Sequence, residues 1–297
     1  MKTPLTCIPK SLPQEQWIAA ARTATAENPV NNVALERLAN VLDGYVLQPM
    51  HLAVLTSKYW GHGGVILTVG FLDNAPTDLR ARILSHMNAW AQHANVQFAE
   101  SKVEPQVRIA REQEGYWSYV GTDVLHIEPG KATMNLEGFT MDTPESEFHR
   151  VVRHETGHTL GFPHEHMREQ LVARIDRKKA LAYFKQTQGW SEAEVLAQVL
   201  TPLDQKTIIG TPADQTSIMC YQIPGKITKD GKPIIGGMDI NLTDAEFAAK
   251  IYPRPAESVT QRLAETNGNG KPGVLSFAPG SNPDYIAAVL RAVARPG

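Results

Sequence analysis

Three histidines, a glutamate and a glycine stand at chemically suggestive spacings in the run His154-Glu155-Thr156-Gly157-His158-Thr159-Leu160-Gly161-Phe162-Pro163-His164-Glu165. Residues four apart share one face of an α-helix, so His154 and His158 project side by side. Two neutral imidazoles from one helical turn suit a zinc ion, and Glu155 beside them can handle protons. His164 requires a break in the helix, because in a continuing helix it would lie about 9 Å along the axis from His158. Gly161 enters left-handed φ/ψ freely and can end the helix, while Pro163 discourages its resumption. His164 can then swing back under the metal. Three protein ligands leave a fourth position for water, the arrangement of a catalytic zinc.

The elements around this run follow from capping and periodicity. A helix is predicted over 143–161, with Thr143 as cap, Pro144 at the first helical position and Glu145 and Glu147 at the positive end of its dipole. Upstream, the β-branched run 64–71 predicts a buried strand, and 78–94 a helix with Leu79, Ile83, Met87, Trp90 and Ala91 on one face. Short strands are predicted at 96–99, 107–110, 124–127 and 133–136, and an aromatic, glycine-bracketed loop at 115–121. Strand, helix, short strands and then the histidine helix read as a mixed sheet backed by two helices, an α+β fold. Downstream, helices are predicted at 177–186 and 192–200, a turn at 229–232, and a helix at 242–252 capped by Thr243 with Glu246 in the capping-box position. Residues 1–58 read as a helical extension (helices at 13–26 and 32–42), 59–253 as the body, and 254–297 as a C-terminal extension. That last part contains a flexible connector at 267–273 and an amphipathic stretch at 283–295.

The extended pattern H-E-x-x-H-x-x-G-x-x-H, followed by Ser217-Ile218-Met219-Cys220-Tyr221, resembles the metzincin zinc endopeptidases, in which a methionine turn accompanies the histidines. Glu165 directly after the third histidine, and a tyrosine two residues after Met219, resemble the astacin-like branch. The likeness covers about residues 60 to 252. It implies two lobes: an N-terminal lobe with a mixed twisted sheet and two long helices, and an irregular, mainly helical C-terminal lobe. It also implies an edge strand that pairs with substrate, expected among 124–136. By the same resemblance Met219 is an apolar floor beneath the imidazoles, and Tyr221 a fifth ligand that swings to hydrogen-bond the oxyanion. Cys220 replaces the histidine common at its position. In mature astacins the glutamate matching Glu165 links to the freed N-terminus; in an intact chain Glu165 needs another cation, Arg168 or Arg153. His166 is read as outward-facing, and Lys226 and Lys229 as residues that could favour acidic substrate side chains.

The expected function is a zinc-dependent endopeptidase acting on protein or peptide substrates, with one catalytic Zn²⁺ held by His154, His158 and His164. Glu155 is the expected general base for the attacking water, and Tyr221 the donor to the oxyanion. The alternative is a latent or catalytically silent binding protein of the same fold. Latency has two candidate agents in residues 1–58: Cys7, whose thiolate could take the open zinc position, and Asp43, which could do so with a carboxylate, as astacin pro-segments do. A formal net charge of −2 provides no field to recruit nucleic acid or anionic membrane, and no run approaches the length of a membrane span. A monomer is expected. With two cysteines there is no disulfide framework, so free thiols are expected, a Cys7–Cys220 bridge being the alternative. The first residues lack the apolar core of a signal peptide, which points to a cytoplasmic protein or leaderless secretion.

Overall fold

Val65–Phe71 (β1) is an inner strand of the sheet, as its β-branched, apolar composition favours. The computed structural model describes residues 7, 10–32, 57–61, 64–202 and 213–254. The chain divides into two compact units after Pro253, and the described part of 1–58 belongs with the body in the first. The helix predicted at 32–42, Asp43, and the features beyond 254 fall outside the described residues, Asn32 excepted.

The first helix, α1 (Trp17–Glu27), stops at Asn28, which turns extended. Two buried asparagines then tie it to residues 57–61. The Asn28 amide donates to the Trp60 carbonyl (2.6 Å), and the Asn31 side chain both donates to and accepts from the Tyr59 backbone (2.7 and 2.9 Å).

Five strands are ordered β2-β1-β3-β5-β4. β2 (Val96–Glu100) and β3 (Val107–Ala110) flank β1 in parallel, and β5 (Met134–Leu136) runs parallel to β3. β4 (Tyr116–Ser118) closes one edge, antiparallel to β5. The crossover from β1 to β2 is α2 (Thr77–Met87), which tightens into a 3₁₀ turn over Asn88–Gln92 instead of running on as α-helix to 94.

Two expectations are corrected here. Residues 124–127 are not a strand but largely a 3₁₀ turn, Gly121–His126. Gly121 sits at φ +51° with its backbone so close to Lys58 that a Cβ would collide with the Lys58 carbonyl, and Val124 reaches the core from that turn. The edge strand is instead β4, inside the stretch read as a loop, where Gly115 and Gly121 signal turns more strongly than the short run between them signals a strand.

The second long helix, α3, spans 145–159 and contains one π-helical turn, Phe148–Val152. Thr143 does not cap it: its hydroxyl accepts from the Thr140 N–H (3.0 Å), and the helix starts at Glu145 without a side-chain cap. The second lobe holds α4 (Arg177–Gln188), ended by Gly189 at φ +72°, and α5 (192–200), whose last turn, Leu196–Leu200, is again π-helical. α6 (Leu242–Ile251) is capped by Asn241, with Asp244 closing the box, not by Thr243 with Glu246; Thr243 already lies inside the helix. None of the helices among the described residues is long and apolar enough to cross a membrane.

The larger core cluster packs α2 and α3 on the sheet through Leu67, Ile83, Trp90, Ile109, Phe148 and Val152. A second joins α4, α5 and the segment after the methionine turn through Ile175, Phe184, Val195, Ile223 and Ile234. Tyr252 locks the first from below. Its hydroxyl donates to the Leu160 carbonyl (2.6 Å) and accepts from the Trp60 N–H (3.1 Å), both buried bonds. Tyr252→Phe leaves both backbone groups without that partner in a dry interior and is expected to lower stability by about 1–3 kcal/mol, measured as a shift in urea midpoint at unchanged slope.

Candidate metal centre

Because α3 presents residues four apart on one face, His154 and His158 point the same way from its last two turns. Each is fixed by a backbone carbonyl: Ile218 accepts from His154 Nδ1 (2.6 Å), and Phe162 from His158 Nδ1 (2.8 Å). A carbonyl can only accept, so both rings carry their proton on Nδ1 and offer a bare Nε2. Gly161, at φ +92°, ends the helix and reverses the chain, with its backbone against Lys58 and Tyr59. His164 then returns, with its Nε2 3.2 Å from that of His154 and 3.0 Å from that of His158.

Three buried imidazole nitrogens at this separation have a chemical consequence. Burial pulls the histidine pKa values down, that of His154 to about 4 and those of His158 and His164 well below their ordinary value, so all are neutral at pH 7. Lone pairs facing one another in a dry interior repel unless a cation lies between them. Tetrahedral zinc with Zn–N near 2.0 Å separates its ligand atoms by about 3.3 Å. The donor set and its spacing therefore fit the ion. Cys7, Sγ included, belongs to the same group, its ligand atoms within 4.8 Å of one another.

Glu155 lies beside the imidazoles, buried, and burial pushes its carboxyl up to about 8. The Cys7 thiol donates to its Oε2 at 3.3 Å, and burial followed by the Glu155 charge pushes that thiol up as well. Tyr221 lies 4.1 Å from His164, centroid to centroid, and burial raises its phenol. Cys7 and Cys220 are both free and buried. These groups open onto a cleft of about 470 Å³ between α3, β4 and residues 233–238.

The methionine turn is built around groups that motif reading missed. A Cβ on Gly157 would collide with Met219 Sδ, so Gly157 leaves the room in which Met219 packs against α3. Asp244 accepts from Ser217 Oγ (2.6 Å) and from the N–H groups of Ile218 (2.9 Å) and Asn241 (3.0 Å), although burial raises its carboxyl pKa. The cap of α6 thereby also holds the turn whose carbonyl orients His154. Only the Asn-x-x-Asp spacing before an apolar helix could have signalled it.

Glu165 finds its cation in Arg168, whose Nε donates to both carboxylate oxygens (3.0 and 3.1 Å), and it also accepts from the Asp214 N–H (3.1 Å). Arg153 pairs instead with Asp239. His166 is not outward-facing; it is fully buried against Tyr221, because the chain turns inward again after Glu165. Lys226 and Lys229 do not line the cleft. Lys226 lies over the Tyr183 ring and Lys229 donates to the Ala173 carbonyl; the cleft's cation is Arg150, held by two bonds to Glu147.

Residues 55–239 match the profile of the astacin peptidase family. The chain belongs to that family. Two solved structures of myroilysin are similar to it, at 30% identity with TM-score 0.63 and at 32% with TM-score 0.52. Each covers 67% of this chain, and 97% and 87% of myroilysin respectively. Zinc metalloproteinase nas-27 of Caenorhabditis elegans is 34% identical over 96 residues, 32% of this chain. Tolloid-like protein 1 of Homo sapiens is 27% identical over 259 residues, 82% of this chain. The matched regions span 20% and 23% of those two proteins. The two-lobed α+β fold is that of this zinc peptidase family, whose members act on peptides or proteins.

Asp244→Ala should loosen the methionine turn and with it the Ile218 carbonyl. Zinc affinity, measured by competition with a chromogenic chelator, is expected to fall about 10- to 100-fold, as when a partner behind a ligand is lost.

Proposed function

We propose that this astacin-family chain is a zinc-dependent endopeptidase in which His154, His158 and His164 hold the ion, Glu155 is the general base and Tyr221 stabilises the oxyanion. The observation that carries this reading is the convergence of three Nε2 atoms beside a buried carboxylate at the floor of an open cleft. Bound zinc supplies a Lewis acid for the scissile carbonyl and acidifies the attacking water. Glu155, whose carboxyl the neighbouring Zn²⁺ charge would return to its ionised form, would accept the proton from that water and return it to the leaving amine. The Tyr221 hydroxyl donates to the tetrahedral oxygen as negative charge develops. β4, at the edge of the sheet, offers backbone groups to an extended peptide.

A second reading concerns control of the same site, and Cys7 favours it. Its sulfur lies among the histidine nitrogens and against Glu155. Three residues on, the Lys10 N–H donates to the Ser118 carbonyl (3.1 Å), and Lys10 bridges Tyr119 in parallel. The chain's own residues thus lie along the edge that a substrate strand would use. On this reading the chain as a whole is latent, Cys7 is the fourth ligand, and residues 1–58 act as a pro-segment.

The discriminating experiment incubates wild type, Glu155→Gln and Cys7→Ser with an unbiased peptide pool and locates cuts by mass spectrometry. Cuts by wild type that Glu155→Gln lacks establish an active peptidase; the loss is expected to reach at least about 10²-fold. Cuts by Cys7→Ser alone establish latency through the thiol. Silence from both wild type and Cys7→Ser would sink the simple active-enzyme reading and make the rest of residues 1–58 the next suspect, with the binding protein behind it.

A further inference from the structure

His166 has no part in the chemistry above, yet it is fully buried against the groups that perform it. It sits in the single turn Glu165–Met167 that follows the third imidazole. Its Nε2 lies 2.9 Å from the Gln198 carbonyl, which can only accept, so the proton is on Nε2 and Nδ1 is bare. Nδ1 is buried with no hydrogen-bond partner. The ring is a flat group whose one donor is engaged by that carbonyl. A buried nitrogen without a partner is costly, and a side chain kept only to fill space would avoid it.

What the ring does is visible in its contacts. It stacks on Tyr221 with centroids 4.2 Å apart and planes at 13°. The Tyr221 ring is also nearly parallel to His154, at 17° and 6.3 Å, and touches His164 at 4.1 Å. The plane of the phenol is therefore backed by the parallel His166 ring, with the His164 ring tilted at 51° against it. The orientation of His166 is set in turn by Gln198, whose carbonyl belongs to the π-helical last turn of α5 (Leu196–Leu200). Carbonyls in a final turn lack intrahelical partners and carry the negative end of the helix dipole, so Gln198 holds the imidazole N–H firmly.

We propose that His166 is a positioning residue for Tyr221, a flat buttress anchored to the end of α5 that keeps the phenol aligned to donate to the oxyanion. This rests on the reading of Tyr221 given above, and the test separates the two.

The experiment uses zinc-loaded full-length protein, or its Cys7→Ser form if wild type is latent, in five versions: unmodified, Tyr221→Phe, His166→Ala, His166→Phe and His166→Ala/Tyr221→Phe. Tyr221→Phe should lower kcat by about 10²-fold or more with KM little changed, as when an oxyanion donor is removed. His166→Ala should lower kcat by about 10- to 100-fold through misplacement of the phenol, again with KM little changed and one zinc retained per chain. The double variant should be no slower than Tyr221→Phe alone, and His166→Phe, which keeps a flat face, should recover part of kcat. Two readouts do not depend on turnover. Crystal structures should show the Tyr221 ring displaced in His166→Ala and retained in His166→Phe. Calorimetry with a phosphinic peptide, a mimic of the tetrahedral state, should show weaker binding to His166→Ala. Additive losses in the double variant, an unmoved Tyr221 ring, or activity lost in step with zinc would overturn the proposal. An unaffected Tyr221→Phe enzyme would instead overturn the role of Tyr221 itself, and the proposal with it.

Discussion

The bond from His154 Nδ1 to the Ile218 carbonyl joins the two lobes at the centre where the three imidazoles meet. A helix alone can align two imidazoles, but it cannot choose their tautomers or hold a third ring from outside its own span. Here one carbonyl comes from the methionine turn and the other, Phe162, from the reversal after Gly161. Each leaves a bare Nε2 facing inward. Everything that fixes those carbonyls is in effect part of the centre: Asp244 beneath the turn, Gly157 making room for Met219, and the Tyr252 hydroxyl on Leu160.

Burial accounts for the electrostatic character of the site. Imidazoles are driven neutral, and the Glu155 carboxyl and the Cys7 thiol are driven towards their protonated forms. The arginines nearby are paired: Arg150 with Glu147, Arg153 with Asp239 and Arg168 with Glu165. The neighbourhood is thus close to neutral apart from what binds at its centre. In such a medium each fixed dipole acts at greater strength than it would in water.

The histidine spacing was legible because a helix repeats every 3.6 residues and because Gly161 has few other uses at φ +92°. The strand Val65–Phe71, and the crossover helix α2, were legible from apolar runs long enough to stand out. β4 was not, since the glycines that bracket it signal a loop, and 124–127 misled because β-branched residues also serve a buried turn. Caps failed at two helices for a related reason. A threonine near a helix start has other backbone groups to bond, as Thr143 does with Thr140. The burial of His166, and the approach of Cys7 to Glu155 across 148 positions of sequence, are set by tertiary packing and leave no local trace.

The Glu165–Arg168 pair bears on the latent reading of the chain. The carboxylate already receives a guanidinium and the Asp214 N–H, so its charge is answered from within the same lobe. No newly freed amino group is required to travel inward and complete it. Were residues 1–58 a pro-segment, as the second reading has it, their trimming would be released from any demand for a particular first residue. Clearing the cleft and completing the interior would then be separate events.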